Sequence, residues 1–418
     1  MKIALTIPTG RPRIKEVVKA FIENAIFHGH NPKDFSIYLA IDTKYQNTKI
    51  EDFKLDSNIE QIVNKVTYIT SEDRKKIGNK LINSLNLNKK IVNELFVGRR
   101  YSRQRNCALF LALLDNQDIA ICIDDDEAPF IPIKLKNKEI VWKNLDFFNP
   151  HIKALTSGAD ITRGPYIGHL SPIPSDFENE IPKEIRTKLG EALEIGNEFI
   201  TKDSFFNLIN KIKYLNEEEI LTPIRPFEAK EGKCGKHIFA GNMGINLNSV
   251  REGKIPIFFT PKEARGEDTI FSLQLKDAVV IEVNSFIFHD PFNMYPEIFQ
   301  EKFPKKLKMI PITNESKSRF AESIIGWLQY APILIKMNSK TEAEKEDKIK
   351  TMIKKIKEPT EKLATLFNYP LLNTSQKVLK EYAKNVEKNY KTLLEAQETW
   401  KNKIIPAITK SQKCVIKI

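Results

Sequence analysis

The chain has 418 residues, 41% apolar and 29% charged, with a formal charge of +12; this is the composition of a soluble globular protein and excludes overall disorder. No apolar run approaches the roughly 18 residues of a membrane span. The four cysteines, Cys107, Cys122, Cys234 and Cys414, contain no CxxC pair and are too few for a disulfide framework in a chain this long.

The chain opens "MKIALTIPTG", which reaches Pro8 and Gly10 after a short apolar stretch. That is no signal peptide, so the expected compartment is the cytoplasm. Short β-rich runs then alternate with helical stretches: "KIALTIP", a helix over 13–28, "FSIYLAID", "KVTYIT", a helix over 101–116, and "IAICIDDD". Such alternation predicts an α/β fold, a mostly parallel sheet flanked by helices. From about residue 315 strand signals end, and "SKSRFAESIIGWLQYAPILIKM", "TEAEKEDKIKTMIKKIKE" and "SQKVLKEYAKNVEKNYKTLLEAQETW" carry apolar residues at helical spacing, which predicts an all-α C-terminal region of three to five helices. Pro304 and Pro311 mark the expected junction. The division follows charge as well: 25 of the 66 Lys+Arg but only 13 of the 54 Asp+Glu lie in 301–418, which leaves a neutral body and a basic tail. The expected domains are 1–300, with 130–235 as an insertion, and 301–418.

The acidic run Asp124-Asp125-Asp126-Glu127 follows the apolar Ile121, Cys122 and Ile123, at the carboxyl end of a strand, where open α/β sheets bind ligands. Carboxylates packed within a turn must protonate, stay wet or share a cation. An Asp-x-Asp at a strand end suits Mn²⁺ or Mg²⁺, whose other positions are filled by water and phosphate oxygens; the competing readings are a solvated turn or a helix N-cap. An EF-hand would need a Gly shortly after and a closing Glu, and an aspartyl-phosphate phosphatase is expected to carry Thr or Val where Ala128 stands.

Neighbouring features fit an anion site. Arg99, Arg100, Arg103 and Arg105 lie before or within the first turns of the helix leading into the acidic strand, where guanidiniums could meet a diphosphate; a solvated face or pairing with the acids would account for some of them. "FAGNMGINL" sets Gly241 and Gly244 around Asn242 and Met243 before an alternating strand, "ARGEDTIFSLQL" sets Gly266, Glu267 and Asp268 before an amphipathic helix, and "VVIEVNSFIFHDPF" ends on His289 and Asp290. Asp268 reads either as an N-cap worth about 1 kcal/mol or as a base over a cleft.

In this order the elements resemble the GT-A fold glycosyltransferases, most closely the family 2 type, over about residues 1–295. "TIPTGRP" (6–12) is similar to the family's opening "IPTYNR", Asp42 ends the second strand, Arg105-Asn106 matches an "ARN" element, Asp124-Asp125-Asp126 matches the DxD, "AGNMG" the glycine loop, Glu267-Asp268 the xED motif and His289 the C-terminal histidine. "TKYQ" after Asp42 departs from the family, and 130–235 matches no family pattern.

The resemblance implies metal-dependent transfer of a sugar from a UDP- or GDP-linked donor to an acceptor hydroxyl. It implies Asp124, Asp126 and His289 as metal ligands and Asp268 as general base, with Glu267 beside it. Thr6, Pro8, Asp42, Arg105, Asn106, Asp125, Gly241 and Asn242 would line the donor site, with Asp125 turned toward sugar or ribose. Inversion is the expected stereochemistry, and retaining GT-A enzymes that share the DxD and the histidine are the alternative. Within "DITRGPYIGHLSPIPSDF" (160–177), Arg163, Tyr166 and His169 are candidates for contact with a glycan, lipid-linked or protein acceptor, against a purely structural lid.

The basic tail fits an anionic membrane surface, an acidic acceptor polymer or a dimer-forming bundle. With a single arginine there, Arg319, and no reader motif, nucleic acid is not expected. A nucleotidyltransferase making sugar nucleotides shares the layout, although "PTGRPR" lacks its glycines, and a non-catalytic glycan- or membrane-binding protein is the other alternative.

Overall fold

The computed structural model describes residues 1–169, 177–197, 201–202, 212–220, 225–227 and 235–410. Cys234, Cys414 and positions 170–176 of the expected acceptor loop lie outside the described residues.

The four apolar runs of the N-terminal third are strands: β1 (Ile3–Thr9), β2 (Phe35–Ile41), β3 (Lys65–Ile69) and β4 (Ile119–Cys122). Next come β5 (Glu127–Ala128), β6 (Phe130–Lys134), β7 (Ile140–Asn144), β8 (Ile161–Arg163), β9 (Tyr166–His169), β10 (Ile212–Lys213), β11 (Leu215–Asn216) and β12 (Arg225–Pro226). The last are β13 (Met243–Asn246), β14 (Val280–Glu282) and β15 (Ile287–His289).

Eight of them form one sheet in the order β12-β14-β8-β13-β4-β1-β2-β3. Six run in one direction, and β12 and β13 run against them. Helices cover both faces, as the alternation predicts. The strand period of two divides the side chains: Ile3, Leu5 and Ile7 of β1 join a core with Val17, Phe21 and Phe148, whereas Ala4 joins one with Ala108, Phe110 and Phe271. From β1 the chain proceeds outward to β2 and β3, then crosses back to place β4 on the other side of β1. That reversal opens a crevice at the carboxyl ends of β1 and β4.

The segment 130–235 gives β8 and β12 to the main sheet, and its β6, β7, β9, β10 and β11 join β5 and β15 from outside it in two small sheets, β10-β9-β15-β5 and β11-β6-β7. Its helix Lys183–Gly196 packs instead with the C-terminal helices: Ile185 and Leu189 share a core with Phe320, Ile324, Met352 and Ile356.

After β15 the long described elements are helices, Asn314–Asn338, Glu342–Phe367, Ser375–Lys384 and Val386–Thr399. The second runs through Pro359 to Phe367. An interior proline costs about 3 kcal/mol, but Ile356 and Leu363 on either side of it are fully buried, and burying side chains of that size returns a comparable amount. One face of the region belongs to the main core, where Tyr330, Leu334, Leu393 and Trp400 pack with Phe96, Phe110 and Phe271. Several of its charged side chains pair within the chain, as in Glu358–Lys188 at 2.7 Å and Lys355–Glu191 at 3.2 Å; these are surface pairs that add little stability. Among the described residues no helix is long and apolar enough to cross a membrane.

Candidate active site

β1 and β4 deliver the acidic run into the crevice. Asp125 turns inward: it accepts from Thr9 Oγ1 at 2.8 Å, from the Gly10 amide at 3.1 Å and from Arg11 Nη1 at 2.6 Å. It therefore locks the end of β1 to the acidic turn, and the expectation that it faces sugar or ribose is corrected. Asp124 and Asp126 converge instead on a third carboxylate. With Glu127 they bring carboxylate oxygens within 4.8 Å of one another.

Glu127 enters this group because β5 pairs antiparallel with β15, opposing Glu127 to His289. One of its oxygens accepts from the Asp124 amide at 2.7 Å, and Gly241 lies against the other. A Cβ on Gly241 would fall 2.0 Å from Glu127 Oε1, 2.3 Å from the Tyr166 hydroxyl and 2.9 Å from Asp124 Oδ2. A side chain at this position would push the three converging groups apart. Gly241→Ala is accordingly expected to leave the chain folded and to weaken Mn²⁺ binding at least about tenfold, as measured by titration calorimetry; unchanged Mn²⁺ affinity would refute this role.

His289 completes the rim. Its Nδ1 donates to the His169 carbonyl, which orients the ring and turns Nε2 toward Asp126 Oδ1 at 3.8 Å. Tyr166 lies between the rings of His289 and Phe239, with centroids 5.1 and 4.9 Å away.

Three arginines answer the negative charge. Arg11 Nη1 reaches Asp126 Oδ2 at 2.8 Å as well as Asp125. Arg13 Nε donates to the Asp125 carbonyl at 2.8 Å. Arg105 Nη2 donates to Asp124 Oδ1 at 2.6 Å, and its Nε is 3.9 Å from Glu267 Oε1. Arg105 thereby joins the acidic turn to the second carboxylate pair, 143 positions on from Asp124 in the sequence at Glu267.

Burial raises the carboxyls of Asp124 and Asp125 above the usual range, with Arg105 and Arg11 opposing it respectively. It drives Glu127 well above that range, and the charges of Asp124 and Asp126 push it further. At Asp126 burial acts in the same direction, but His289 and Arg11 outweigh it and bring the carboxyl down to about 2. Carboxyls held this close must hold protons or share a further cation, and a bound cation would favour their anionic forms.

The Glu267-Asp268 pair begins the helix Glu267–Leu273, whose N-cap is Gly266 at φ 85° and not Asp268. A Cβ on Gly266 would lie 2.6 Å from the Tyr330 ring. A C-terminal helix thus packs directly beneath the pair. Asp268 Oδ1 accepts from the Thr269 amide at 2.7 Å. Burial and the neighbouring Asp268 raise Glu267 to about 7, and burial raises Asp268.

Several expected donor-site residues lie elsewhere. Thr6 is inside the sheet with its hydroxyl 3.1 Å from Cys122 Sγ, and Pro8 is buried in β1. Asn106 gives both ends of its amide to the Phe258 backbone, at 2.8 and 3.0 Å. Asn242 is a fully buried clamp between the Ser285 carbonyl, at 2.9 Å, and His151, at 3.0 Å. Asp42 remains at the crevice edge, paired with Arg99 at 3.1 Å. Arg100 and Arg103 serve the backbone of Pro261 and the side chain of Glu94. Of the acceptor candidates, Tyr166 stands in the site. Arg163 is spent on Glu282 and the face of Phe227, and the His169 ring stacks on Tyr295.

Sequence reasoning left out Glu127, Arg11 and Arg13 as site residues. The signal for the two arginines was present in "TGRPR", immediately after β1, the strand beside the acidic one.

No family model matches the chain, and no curated protein does. Solved structures are similar over most of its length: residues 1–349 of S. aureus TarS at 11% identity, with 94% of this chain and 91% of that one covered and a TM-score of 0.36. The same fragment in complex with UDP-GlcNAc gives 10% identity, coverage of 94% and 92%, and a TM-score of 0.35. The mannosyltransferase PcManGT from Pyrobaculum calidifontis, in complex with GDP-Man and Mn²⁺, gives 11% identity, coverage of 92% and 87%, and a TM-score of 0.39. Likenesses this loose carry no weight in the assignment of the site, which rests on its geometry.

Proposed function

We propose that the chain is a metal-dependent glycosyltransferase of GT-A type, family 2-like, moving a sugar from a UDP- or GDP-linked donor to an acceptor hydroxyl with inversion. One observation carries the reading: a three-carboxylate cluster with His289 at its rim is joined through Arg105 to a second carboxylate pair, at the carboxyl edge of the sheet.

The donor set fits the implied ion. Carboxylate oxygens from Asp124, Asp126 and Glu127 suit hard Mg²⁺ or Mn²⁺, and an added imidazole nitrogen from His289 favours Mn²⁺. When bound, such an ion supplies charge neutralisation to the donor's diphosphate. Arg105 contributes positive charge on the same side. Asp268, across Arg105 from the cluster, takes the proton of the acceptor hydroxyl as its oxygen attacks the anomeric carbon and the bond to the diphosphate breaks. The nucleoside diphosphate leaves with the bonding electron pair. Tyr166, its ring held between those of His289 and Phe239, brings its hydroxyl to Glu127 at the cluster, and Asp42, just past the end of β2, would meet the ribose or nucleobase.

A panel of UDP- and GDP-sugars, each with and without Mn²⁺, tests the reading. Release of nucleoside diphosphate from at least one donor, only with the ion, is the expected result. Absence of both turnover and binding across the panel would overturn it.

A further inference from the structure

Three guanidiniums surround the acidic turn, and they are tethered differently. Arg13 donates to the carbonyls of Asp125, at 2.8 Å, and Asp290, at 3.1 Å. Arg105 donates to the Ala240 carbonyl at 3.1 Å as well as to Asp124. Backbone carbonyls keep their dipoles whatever binds nearby, so these two side chains are fixed parts of the wall.

Arg11 has a different set of partners. Its Nη1 bridges Asp125 Oδ1 at 2.6 Å and Asp126 Oδ2 at 2.8 Å, and its Nη2 reaches the Tyr45 hydroxyl at 3.5 Å. Among the described residues its guanidinium meets no backbone carbonyl. It is held by carboxylate charge, and a divalent ion on Asp126 competes for the same charge. Tyr45 offers a second resting place: its ring centroid is 5.6 Å from the guanidinium carbon and the residue is 47% exposed. The approach of Tyr45 depends on Gly10, where a Cβ would lie 2.5 Å from that of Tyr45.

We propose that Arg11 is an exchangeable internal counter-cation. It neutralises Asp125 and Asp126 until a divalent ion takes Asp126, then turns toward Tyr45 and meets the diphosphate of the donor. This deepens the metal-dependent reading of the site and rests on it.

A thermodynamic consequence follows. An ion binding alone must displace Arg11, whereas an ion arriving with a diphosphate gives the guanidinium a new bidentate anionic partner. Metal and nucleotide therefore bind cooperatively, and Arg11 carries the coupling.

The test is calorimetric titration of Mn²⁺, alone and with UDP or GDP, into the wild-type chain, Arg11→Ala, Arg11→Lys and Asp126→Asn. Arg11→Ala is expected to bind Mn²⁺ alone about tenfold more tightly or better, the worth of a charge-assisted contact, and to lose most of the coupling to diphosphate. Arg11→Lys keeps the charge on a shorter side chain without the planar fork; it gives an intermediate affinity and a readout should the alanine variant fail to fold. Asp126-dependent Mn²⁺ binding that Arg11→Ala leaves equal or weaker, or undiminished coupling in Arg11→Ala, overturns the exchange alone. Mn²⁺ binding that is absent from wild type and every variant, or indifferent to Asp126→Asn, overturns the metal-centre reading as well.

Discussion

Asp126→Asn is expected to lower kcat/KM on the productive nucleotide sugar on the order of a thousandfold, the scale of removing one preorganised charge from a reacting centre. The Arg11, His289 and cluster contacts all converge on this carboxylate. A stability change should accompany the loss. Its carboxyl is held at about 2, below the usual value, by His289 and Arg11 acting against burial. A depressed folded pKa contributes stability that is present above the unfolded value near 4 and is lost as pH falls through 2. At pH 7 the asparagine variant therefore lacks about 2 kcal/mol, by the same linkage, and urea unfolding at pH 7 should show an earlier midpoint. Turnover equal to wild type would end the metal-site reading, whatever the unfolding midpoint.

The strands that carry the site were legible in the sequence because each is a short apolar run with a polar end. "KIALTIP" became β1 to within one residue at each end, and the "IAIC" of "IAICIDDD" became β4. The helix expected over 101–116 is Tyr101–Leu114, with Arg105 on the face toward the acids. Glu127 was in plain view beside the aspartates, but its place depends on pairing with β15, a contact across 162 positions that no local pattern encodes. Arg11 and Arg13 stood in view after β1, but their role was not, since their acidic-turn partners lie more than 100 positions away. Asn106 and Asn242 show the opposite error. Motif position suggested ligand contact, whereas each amide satisfies buried backbone groups that would otherwise go unpaired. The basic tail read as an appendage because charge and helical period say nothing about which apolar face a helix buries; Tyr330 and Trp400 bury theirs in the main core.

The Glu267-Asp268 pair gives the other large effect, because its two members should fail differently. Asp268→Asn removes the proposed base and is expected to reduce kcat by about 10²- to 10⁴-fold while donor binding persists. Glu267→Gln should instead move the pH profile. Burial and the charge of Asp268 raise Glu267 to about 7, so turnover in the wild type should climb through neutral pH, and that limb should shift or vanish in the glutamine variant. Stability provides an independent readout with the opposite sign to Asp126. A raised folded pKa gives stability that is full below the unfolded value near 4.5 and is lost as pH rises through 7, about 3 kcal/mol for one such group. Glutamine does not titrate, so the variant should be more resistant to urea than wild type at pH 8 in EDTA and should lose less stability between pH 5 and pH 8. Parallel stability profiles for the two chains would show that Glu267 ionises as an ordinary surface acid. The pair would then have no poised carboxyl to set against the carboxylate cluster across Arg105.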